Sequence, residues 1–384
     1  MNFSYTEEQQ LLRDSIARFI QKDYTFDIRR AIYTSPEGWS KKVWAQLAEM
    51  GLLGLSIPAE YDGFGESMVD AMVAMTAVGN GLVVEPYLAT VVLSAGAIAA
   101  AGSDAQKAAL LPRVVDGSLT LALATIEPGG RYNLNHVTTR ATRNGDDYVL
   151  AGAKAVVAHG GQADKLVVSA RTAGADTDPR GISLFVVDAT AAGVTRRDAR
   201  TIDGQRVADI SLANVRVPAS ALLGEADAAA PILERVVDRG VAALCAEAVG
   251  VMETLNAQTV EYLKTRQQFG QPIGRFQVLQ HRAVDMFIHL EQCRSMAILA
   301  AMKVDTTDRV ERIKAVAGAK VHIGESGRTV AQSAIQLHGG MGVTNEMPAA
   351  HYAKRLTMID FQLGDSQHHL DRFIGVANGV GHDS

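Results

Sequence analysis

The order of sequence patterns predicts an α+β fold with three domains. Apolar residues recur at helical spacing in residues 1–117, which predicts an N-terminal helical domain. Short β-prone runs alternate with turns in residues 118–225, which predicts an antiparallel β-sandwich or barrel. Long helices with apolar faces fill residues 226–384, and such helices pair into a four-helix bundle.

The N-terminal domain begins with a predicted helix over Ser4–Phe19. Thr6, followed by Glu8 and Gln9, has the spacing of a helix N-terminal cap. The same apolar periodicity predicts four further helical segments, over Trp44–Leu53, Val69–Leu82, Tyr87–Ala101 and Leu110–Val115.

The middle domain contains seven predicted strands, and Asn144-Gly145 predicts a tight hairpin turn. The strands are Leu119–Ala124, His136–Ala141, Tyr148–Ala151, Lys165–Ala170, Gly181–Val187, Asp209–Leu212 and Val215–Val217. The C-terminal domain contains three long predicted helices, over Ala228–Thr265, Phe276–Lys303 and Asp308–His338.

Composition excludes several function classes. The chain has 384 residues, 47% hydrophobic and 21% charged, and its net charge of -5 gives no basic footprint for nucleic acid. Cys245 and Cys293 lie in apolar helical patterns, so we expect buried free thiols rather than a disulfide or a metal site. Met1–Gln10 is polar and acidic, unlike a signal peptide, and Leu88–Ala101 is too short to span a bilayer. We expect a soluble cytoplasmic protein with no membrane span and no metal.

Two helix-then-break segments carry groups suited to a pyrophosphate. In Tyr262–Ile273 (YLKTRQQFGQPI), Arg266 supplies a planar charged fork for phosphate oxygens. In Ala331–Gly342 (AQSAIQLHGGMG), the backbone of Gly339-Gly340 allows close approach, because a side chain there would keep a phosphate away from the N–H groups. A lone Gly-Gly after a helix is usually only a C-terminal cap, so the combination of the two segments is what predicts a phosphate site.

At these two segments the chain resembles the acyl-CoA dehydrogenase family of flavoproteins. There, R-x-x-F-G and Q-x-x-G-G segments from a neighbouring subunit hold the FAD diphosphate. The resemblance covers essentially the whole chain, including Tyr5–Gln9, Gly51–Gly54, Tyr61–Gly65, Val217-Pro218 and Gly270–Ile273. It implies FAD as cofactor, an acyl-CoA substrate and an electron-transfer flavoprotein or similar acceptor. The reaction it implies is α,β-dehydrogenation to a trans-2-enoyl-CoA.

The same resemblance assigns cofactor contacts residue by residue. His338 could be a base or a ligand, but a loop histidine packed beside Gly-Gly is the favoured interpretation. For Arg266 alone, the alternative is a solvated arginine at the end of a helix. For Phe269 alone, core packing is the favoured interpretation. The implied FAD contacts are Arg266, Gln268, Phe269, Phe276, Gln277, Gln336, Gly339, Gly340 and Thr125.

The middle domain departs from the family pattern around the flavin ring. The family has T-E-P followed by G-S-D, whereas here Ile126 stands at the Thr position and no Ser follows. The family also has K-x-W/F-I-T-N, whereas here Val156 replaces the aromatic residue and Ala158 replaces the Thr. Each change removes a hydrogen-bond donor or a stacking surface, so we expect weaker flavin-ring contacts from this domain.

The catalytic base of the family is missing at both positions that can carry it. Counted from Gly339-Gly340, the family's Glu position falls at Leu363, or at Gly364 with one residue of slack. In the branch that places its Glu on the long helix, the matching residue is Gly240. The nearby acids are Asp360, Asp365 and Asp238, of which Asp365 and Asp360 are weak candidates for the base. A turn or cap residue before Ser366 is the favoured alternative for Asp365.

Phe361–His369 (FQLGDSQHH) resembles a subfamily that works as paired unlike subunits, and the chain is most similar to the pimeloyl-CoA dehydrogenase small subunit type. Two function classes stay open: a subunit of an FAD-dependent acyl-CoA dehydrogenase, and a non-catalytic structural partner that completes the flavin site of a Glu-bearing homologue. A weaker third class is a flavin monooxygenase or nitroalkane oxidase. We expect a homo- or heterotetramer.

Overall fold

The computed structural model describes residues 5–65 and 67–379 and confirms the α+β fold class. A π-helix, Leu88–Ala95, continues directly into the α-helix Gly96–Ala101. The α-helices of the described residues are α1 (Glu7–Asp23), α2 (Phe26–Thr34), α3 (Lys41–Glu49), α4 (Met68–Gly81), α5 (Gly96–Ala101), α6 (Asp104–Val115), α7 (Ala230–Thr265), α8 (Gln277–Lys303), α9 (Arg309–His338), α10 (Pro348–Phe361) and α11 (Ser366–Ala377). The strands are β1 (Leu121–Ala124), β2 (Arg140–Asn144), β3 (Asp147–Ala158), β4 (Lys165–Arg171), β5 (Ile182–Asp188), β6 (Val194–Arg200), β7 (Arg206–Pro218), β8 (Leu222–Leu223), β9 (Gln267–Gln268) and β10 (Gln271–Pro272).

The predicted cap of the first helix is confirmed. The Thr6 hydroxyl accepts a hydrogen bond from the Gln9 backbone N–H at 3.2 Å, and the Gln9 side chain accepts one from the Thr6 N–H at 3.0 Å. This reciprocal pair satisfies two backbone donors that the first turn of a helix leaves without partners. The predicted start at Ser4 lies outside the described residues.

The sequence analysis missed α2, α10, α11 and β6. Of these, α2 and β6 carry charged residues where an apolar pattern was sought. Arg29 is the buried residue of α2, and its Nε donates to the Leu82 carbonyl at 2.8 Å. β6 is a polar strand at one edge of the sheet, where arginines are tolerated. The two strands predicted at Asp209–Leu212 and Val215–Val217 form the single strand β7, whose Asn214 has a positive φ of 55°.

The chain divides into two compact units. One contains the described residues of Met1–Ala31, Met68–Val83 and Val241–Gly381, and the other those of Ile32–Ser67 and Val84–Gly240. The predicted domain borders after residues 117 and 225 stay predictions.

The second unit contains an eight-stranded sheet in the order β6-β7-β3-β2-β4-β5-β8, with β1 paired to β4. Neighbouring strands are antiparallel except at β4, which pairs in parallel with β1 and β2, so the predicted all-antiparallel pairing is incomplete. The β2–β3 hairpin separates β1 from β4 in sequence and supplies the long connection that parallel pairing needs. The predicted tight turn is confirmed: Asn144 pairs with Asp147, and Gly145 has a φ of 64°.

The first unit contains the long C-terminal helices, and α8, α10 and α11 each pack against α9. By length and composition alone α7 could cross a membrane, but 78% of its most apolar 18-residue stretch is buried inside the protein. A core helix of a soluble protein passes the same test. Cys245 and Cys293 are free and fully buried, and burial raises the pKa of both thiols to about 12.

Candidate functional site

A short hairpin follows α7 and presents an exposed phenylalanine. Gln268 pairs with Gln271, which leaves Phe269-Gly270 as a two-residue loop. Phe269 has a φ of 54° and Gly270 a φ of 77°, and two positive φ angles define a type I′ turn. Phenylalanine is unusual in this conformation, and its ring is 91% exposed. A non-glycine residue held in this conformation at a loop tip is a candidate for a functional contact. The core packing favoured for Phe269 alone is therefore wrong, because its ring lies at the tip of a loop.

Arg266 lies at the base of this hairpin, one residue beyond α7. Its carbonyl accepts a hydrogen bond from the Ile273 N–H at 2.8 Å, which closes the hairpin. Its side chain is exposed and has no hydrogen-bond or ion-pair partner among residues 5–65 and 67–379. The guanidinium is therefore available to an anionic ligand.

Gly339 and Gly340 form the start of a 3₁₀ turn after α9, and both are exposed. A Cβ added at either position would meet no heavy atom within 4 Å. Packing among residues 5–65 and 67–379 thus does not explain the glycine at position 340. A phosphate that contacts backbone N–H groups needs open space of this kind beside a glycine.

A ring stack joins the two segments. The Tyr262 ring, on the last turn of α7, stacks on the His338 ring with centroids 4.5 Å apart. His338 is buried, and its Nδ1 lies 2.9 Å from the Ala334 carbonyl. The favoured interpretation of His338 as a packed residue beside Gly-Gly agrees with this geometry.

The structure brings eight of the nine implied FAD contacts onto these adjoining segments. Gln336 is exposed near the end of α9, and its carbonyl accepts from the Gly339 N–H. Phe276 precedes α8 and meets the Phe269 ring edge-on at 6.1 Å, and Gln277 is the exposed first residue of α8. Thr125, the ninth, is half-buried after β1 in the other compact unit. Arg266 and the exposed Gly339-Gly340 backbone fit the diphosphate of an FAD.

The residues that the resemblance places beside the flavin ring offer fewer contacts to a cofactor than the residues for the diphosphate. Val156 lies at a β-bulge between β3 and β7, has a φ of 52° and is 54% exposed. A β-branched residue with a positive φ is a clear outlier, and its N–H is held by the Asp209 carboxylate at 3.1 Å. Bulges re-aim a side chain, so this one directs position 156 outward, yet valine supplies no aromatic surface.

A buried ion pair, missed in the sequence analysis, fixes the segment after β1. The Lys154 ammonium lies 2.6 Å from the Glu127 carboxylate, and both side chains are fully buried. Glu127 also accepts from the N–H groups of Thr138 and Thr139. Burial raises the pKa of Glu127, but Lys154 and these hydrogen bonds outweigh it and lower the pKa to about 2. Glu127 is therefore an ionised structural residue.

The acids near the missing base have structural partners. Asp360 is buried and accepts from the Ser366 hydroxyl at 2.6 Å and from Arg328 at 2.9 Å. Asp365 is the N-cap of α11 and accepts from the His368 N–H at 2.8 Å, which is the alternative that the sequence allowed. The structure thus gives neither carboxylate the free position that a base needs.

The two base positions hold apolar residues in different compact units. Leu363 is half-buried and has a φ of 56°. Gly240 is buried in α7, two residues from the buried Asp238. Among residues 5–65 and 67–379, no group of three or more His, Cys, Asp or Glu is placed to hold a metal ion.

Lys320 and His369, which the sequence analysis did not single out, hold the segment that contains Leu363. Both are fully buried. The Lys320 ammonium donates to the carbonyls of Ile359, Asp360 and Gln362 at the end of α10. Burial lowers the pKa of Lys320 to about 8 and that of His369 to about 2, so His369 is neutral. A charged residue within an apolar helix pattern was the available signal for Lys320.

Three family models match almost the whole chain: the N-terminal, middle and C-terminal domains of acyl-CoA dehydrogenase, at residues 6–118, 122–215 and 232–374. Acyl-CoA dehydrogenase FadE12 of Mycobacterium tuberculosis is 32% identical over 91% of this chain and 90% of its own length. Butyryl-CoA dehydrogenase from Megasphaera elsdenii has a TM-score of 0.91 and 26% identity, covering 98% of this chain and 100% of its own. A chain of the ChsE4-ChsE5 complex from Mycobacterium tuberculosis has a TM-score of 0.89 and 27% identity, covering 99% and 100%.

Proposed function

The chain belongs to the acyl-CoA dehydrogenase family, and from this premise we propose that it is one subunit type of an FAD-dependent acyl-CoA dehydrogenase. The reaction is removal of two hydrogens from the α and β carbons of an acyl-CoA thioester, giving a trans-2-enoyl-CoA. When bound, FAD supplies the hydride acceptor, and an electron-transfer flavoprotein or similar acceptor takes the electrons onward. We also propose that the enzyme is cytoplasmic.

The observation that carries this proposal is the open surface formed by Arg266 and Gly339-Gly340. Within the described part of the chain no group pairs with the Arg266 guanidinium, and the glycine backbone has open space beside it. The exposed Phe269 lies on the same hairpin. Together these features suit an FAD diphosphate bound between this chain and a neighbouring subunit.

The missing base favours a division of labour between unlike subunits. Leu363 and Gly240 stand where a carboxylate would remove the α-proton, and Asp360 and Asp365 have structural partners. We therefore propose a heterotetramer in which a Glu-bearing homologue supplies the base, in the manner of the pimeloyl-CoA dehydrogenase small subunit type. The ChsE4-ChsE5 neighbour is a complex of two chain types, which supports this arrangement.

The second candidate is a structural partner without a functional flavin site of its own. Val156, Ala158 and Ile126 favour it, because they remove a stacking surface and hydrogen-bond donors at the ring end. In this case the chain supplies only the diphosphate contacts to its partner's cofactor. The colour of the purified chain distinguishes the two candidates, since a chain that retains oxidised flavin is yellow.

Co-purification with a Glu-bearing homologue tests the proposal. The chain alone should oxidise acyl-CoAs very slowly with an artificial acceptor, because loss of a positioned base removes about 10²–10⁴-fold in rate. The complex should turn over. Fast turnover by the chain alone, lost in Asp360→Asn or Asp365→Asn, would refute the dependent-subunit proposal.

Arg266→Ala tests the diphosphate contact in the same complex. Loss of a charge-assisted phosphate contact should cost about 1.5–3 kcal/mol and lower the flavin content after gel filtration. Lys264→Ala, which removes an exposed cation two residues away, should leave the flavin content unchanged. Equal flavin content in the two variants would count against the assignment.

A further inference from the structure

The last turn of α7 places one side chain against the end of α9. The Tyr262 ring stacks on the His338 ring, with an interplanar angle of 27° and centroids 4.5 Å apart. The Tyr262 hydroxyl donates to the His338 carbonyl at 3.4 Å. The His338 Nδ1 lies 2.9 Å from the Ala334 carbonyl and carries the proton, because a carbonyl only accepts. The His338 ring is therefore fixed on α9 and gives Tyr262 a rigid surface.

The hairpin that carries Arg266 is seated on the same turn of α7. The Arg266 N–H donates to the Tyr262 carbonyl at 2.9 Å. A Cβ at Gly274, where the chain returns from the hairpin, would lie 2.9 Å from the Leu263 carbonyl, so the returning chain passes directly against α7. A shift of Tyr262 would therefore carry the hairpin and its guanidinium with it.

The turn that carries Gly339-Gly340 is seated on the last turn of α9 in the same way. A Cβ at Gly342 would lie 2.7 Å from the Ile335 carbonyl and 3.0 Å from the His338 Cβ. The stack of Tyr262 on His338 thus joins two supports, one for each segment that suits a phosphate. A guanidinium and backbone N–H groups bind one diphosphate together without an ordering cost only if their separation is already fixed.

We propose that Tyr262 is a positioning residue for the FAD diphosphate, because its stack on His338 sets the separation between Arg266 and the Gly339-Gly340 backbone. A stacked aromatic pair has a defined geometry, which an aliphatic side chain of similar size lacks. Tyr262 acts through the two segments and does not itself contact the cofactor. This inference rests on the proposed function for the identity of the cofactor, whereas the coupling of the two segments is independent of it.

Titration of FAD into the complex, after its flavin has been removed, tests the positioning. Tyr262→Leu removes the ring and should weaken FAD binding about tenfold. Tyr262→Phe keeps the ring and should stay within about threefold of wild type. Phe19→Leu is the control, because it removes a ring contact to Tyr24 in the same compact unit, with centroids 6.3 Å apart. This control should lower Tm without changing FAD affinity, and equal FAD affinity in Tyr262→Leu and Phe19→Leu would overturn the inference.

A double-mutant cycle with Arg266→Ala separates positioning from a general loss of stability. If Tyr262 aligns Arg266, Tyr262→Leu has little left to disturb once the guanidinium is gone. Its effect on FAD affinity should therefore fall from about tenfold to less than about threefold in the Arg266→Ala background. Effects of the two substitutions that multiply would contradict an action through Arg266.

Amide hydrogen exchange in the flavin-free complex tests the coupling without the cofactor. The Ile273 N–H closes the hairpin on the Arg266 carbonyl at 2.8 Å, and the Thr344 N–H closes the other turn on the Met341 carbonyl at 3.2 Å. Tyr262→Leu should speed exchange of both amides about fivefold or more, and Tyr262→Phe should speed neither. Faster exchange at only one of the two amides, or at neither, would refute the coupling.

The two readouts keep the inference separate from the proposed function. If the wild-type complex binds no FAD, the proposed function fails, and the exchange experiment still decides whether Tyr262 couples the two segments. If Tyr262→Leu does not fold, Tyr262→Met takes its place in every experiment with the same expected results, because methionine fills the space without a ring.

Discussion

At the scale of single residues, a substitution at Gly340 should affect flavin binding without affecting the stability of the fold. Its φ is not positive, and an added Cβ meets nothing within 4 Å, so Gly340→Ala should leave stability within about 0.5 kcal/mol of wild type. The methyl group should nevertheless keep a phosphate from the backbone, so flavin content should fall. Absorbance at the flavin band after gel filtration, together with a thermal melt, measures both effects.

Gly318→Ala is the matched control for Gly340→Ala. Gly318 lies within α9, and an added Cβ there meets only the Phe373 ring, at 3.6 Å. This substitution should preserve flavin content. A loss of flavin in both variants would mean that the helix, not the phosphate cradle, is responsible.

His369 makes stability depend on pH. Burial lowers its pKa to about 2, against an ordinary value of 6.5 in the unfolded chain. The unfolded state therefore binds more protons in between, so stability present above pH 6.5 is lost as pH falls toward 2. From pH 7 to pH 5, wild type should lose about 2 kcal/mol more than His369→Gln. Denaturant titrations at the two pH values measure this difference, and parallel losses would show that His369 is not buried neutral.

At the scale of elements, the turn of the β9–β10 hairpin carries the exposed Phe269 ring, which we expect to contribute to subunit association. Asn is favoured in type I′ turns, so Phe269→Asn should keep the hairpin while removing the exposed ring. We expect weaker subunit association, by about tenfold or more, with an unchanged melt of the individual chain. Sedimentation at several concentrations measures it. Ile202→Asn removes an apolar side chain that is 64% exposed in the other compact unit, and it should leave association unchanged.

Elements with a long apolar period were predictable from sequence, and several short or polar elements, α2, α10, α11 and β6 among them, were not. The helices α7, α8 and α9 begin within two residues of their predicted starts, because their apolar faces repeat over many turns. α2 escaped because Arg29 is its buried residue, and β6 because an edge strand needs no apolar face. The local sequence around Arg29 does not show that the distant Leu82 carbonyl accepts its hydrogen bond.

The same limit applies to the candidate site. Glycines and an arginine at motif spacing marked the diphosphate end, since those residue types are needed for phosphate contact. One group that holds the Leu363 segment and one that holds Glu127 come from distant parts of the chain: Lys320 lies 39 residues before Ile359, and Lys154 lies 27 after Glu127. Nothing in the sequence alone joins such pairs.

At the scale of the whole molecule, the exposed apolar side chains of α8 predict association. Val278, Val284, Phe287 and Ile288 are exposed on this one helix, which is unfavourable for a monomer. We expect a dimer of dimers that buries these side chains. Light scattering should give about four times the chain mass of 40.9 kDa, for the chain alone or with its partner subunit. A stable 40.9 kDa species at micromolar concentration would contradict this prediction.

The alkylation rates of the two buried thiols report how often helices of the first compact unit open. Only a thiolate reacts with iodoacetamide, and at pH 8 a pKa of about 12 leaves roughly one thiol in 10⁴ ionised even where the reagent has access. Alkylation of the native protein must therefore wait for the helices to separate. Because Cys245 lies on α7 and Cys293 on α8, equal labelling rates would show that these helices open together, and unequal rates would rank their lifetimes without any introduced probe.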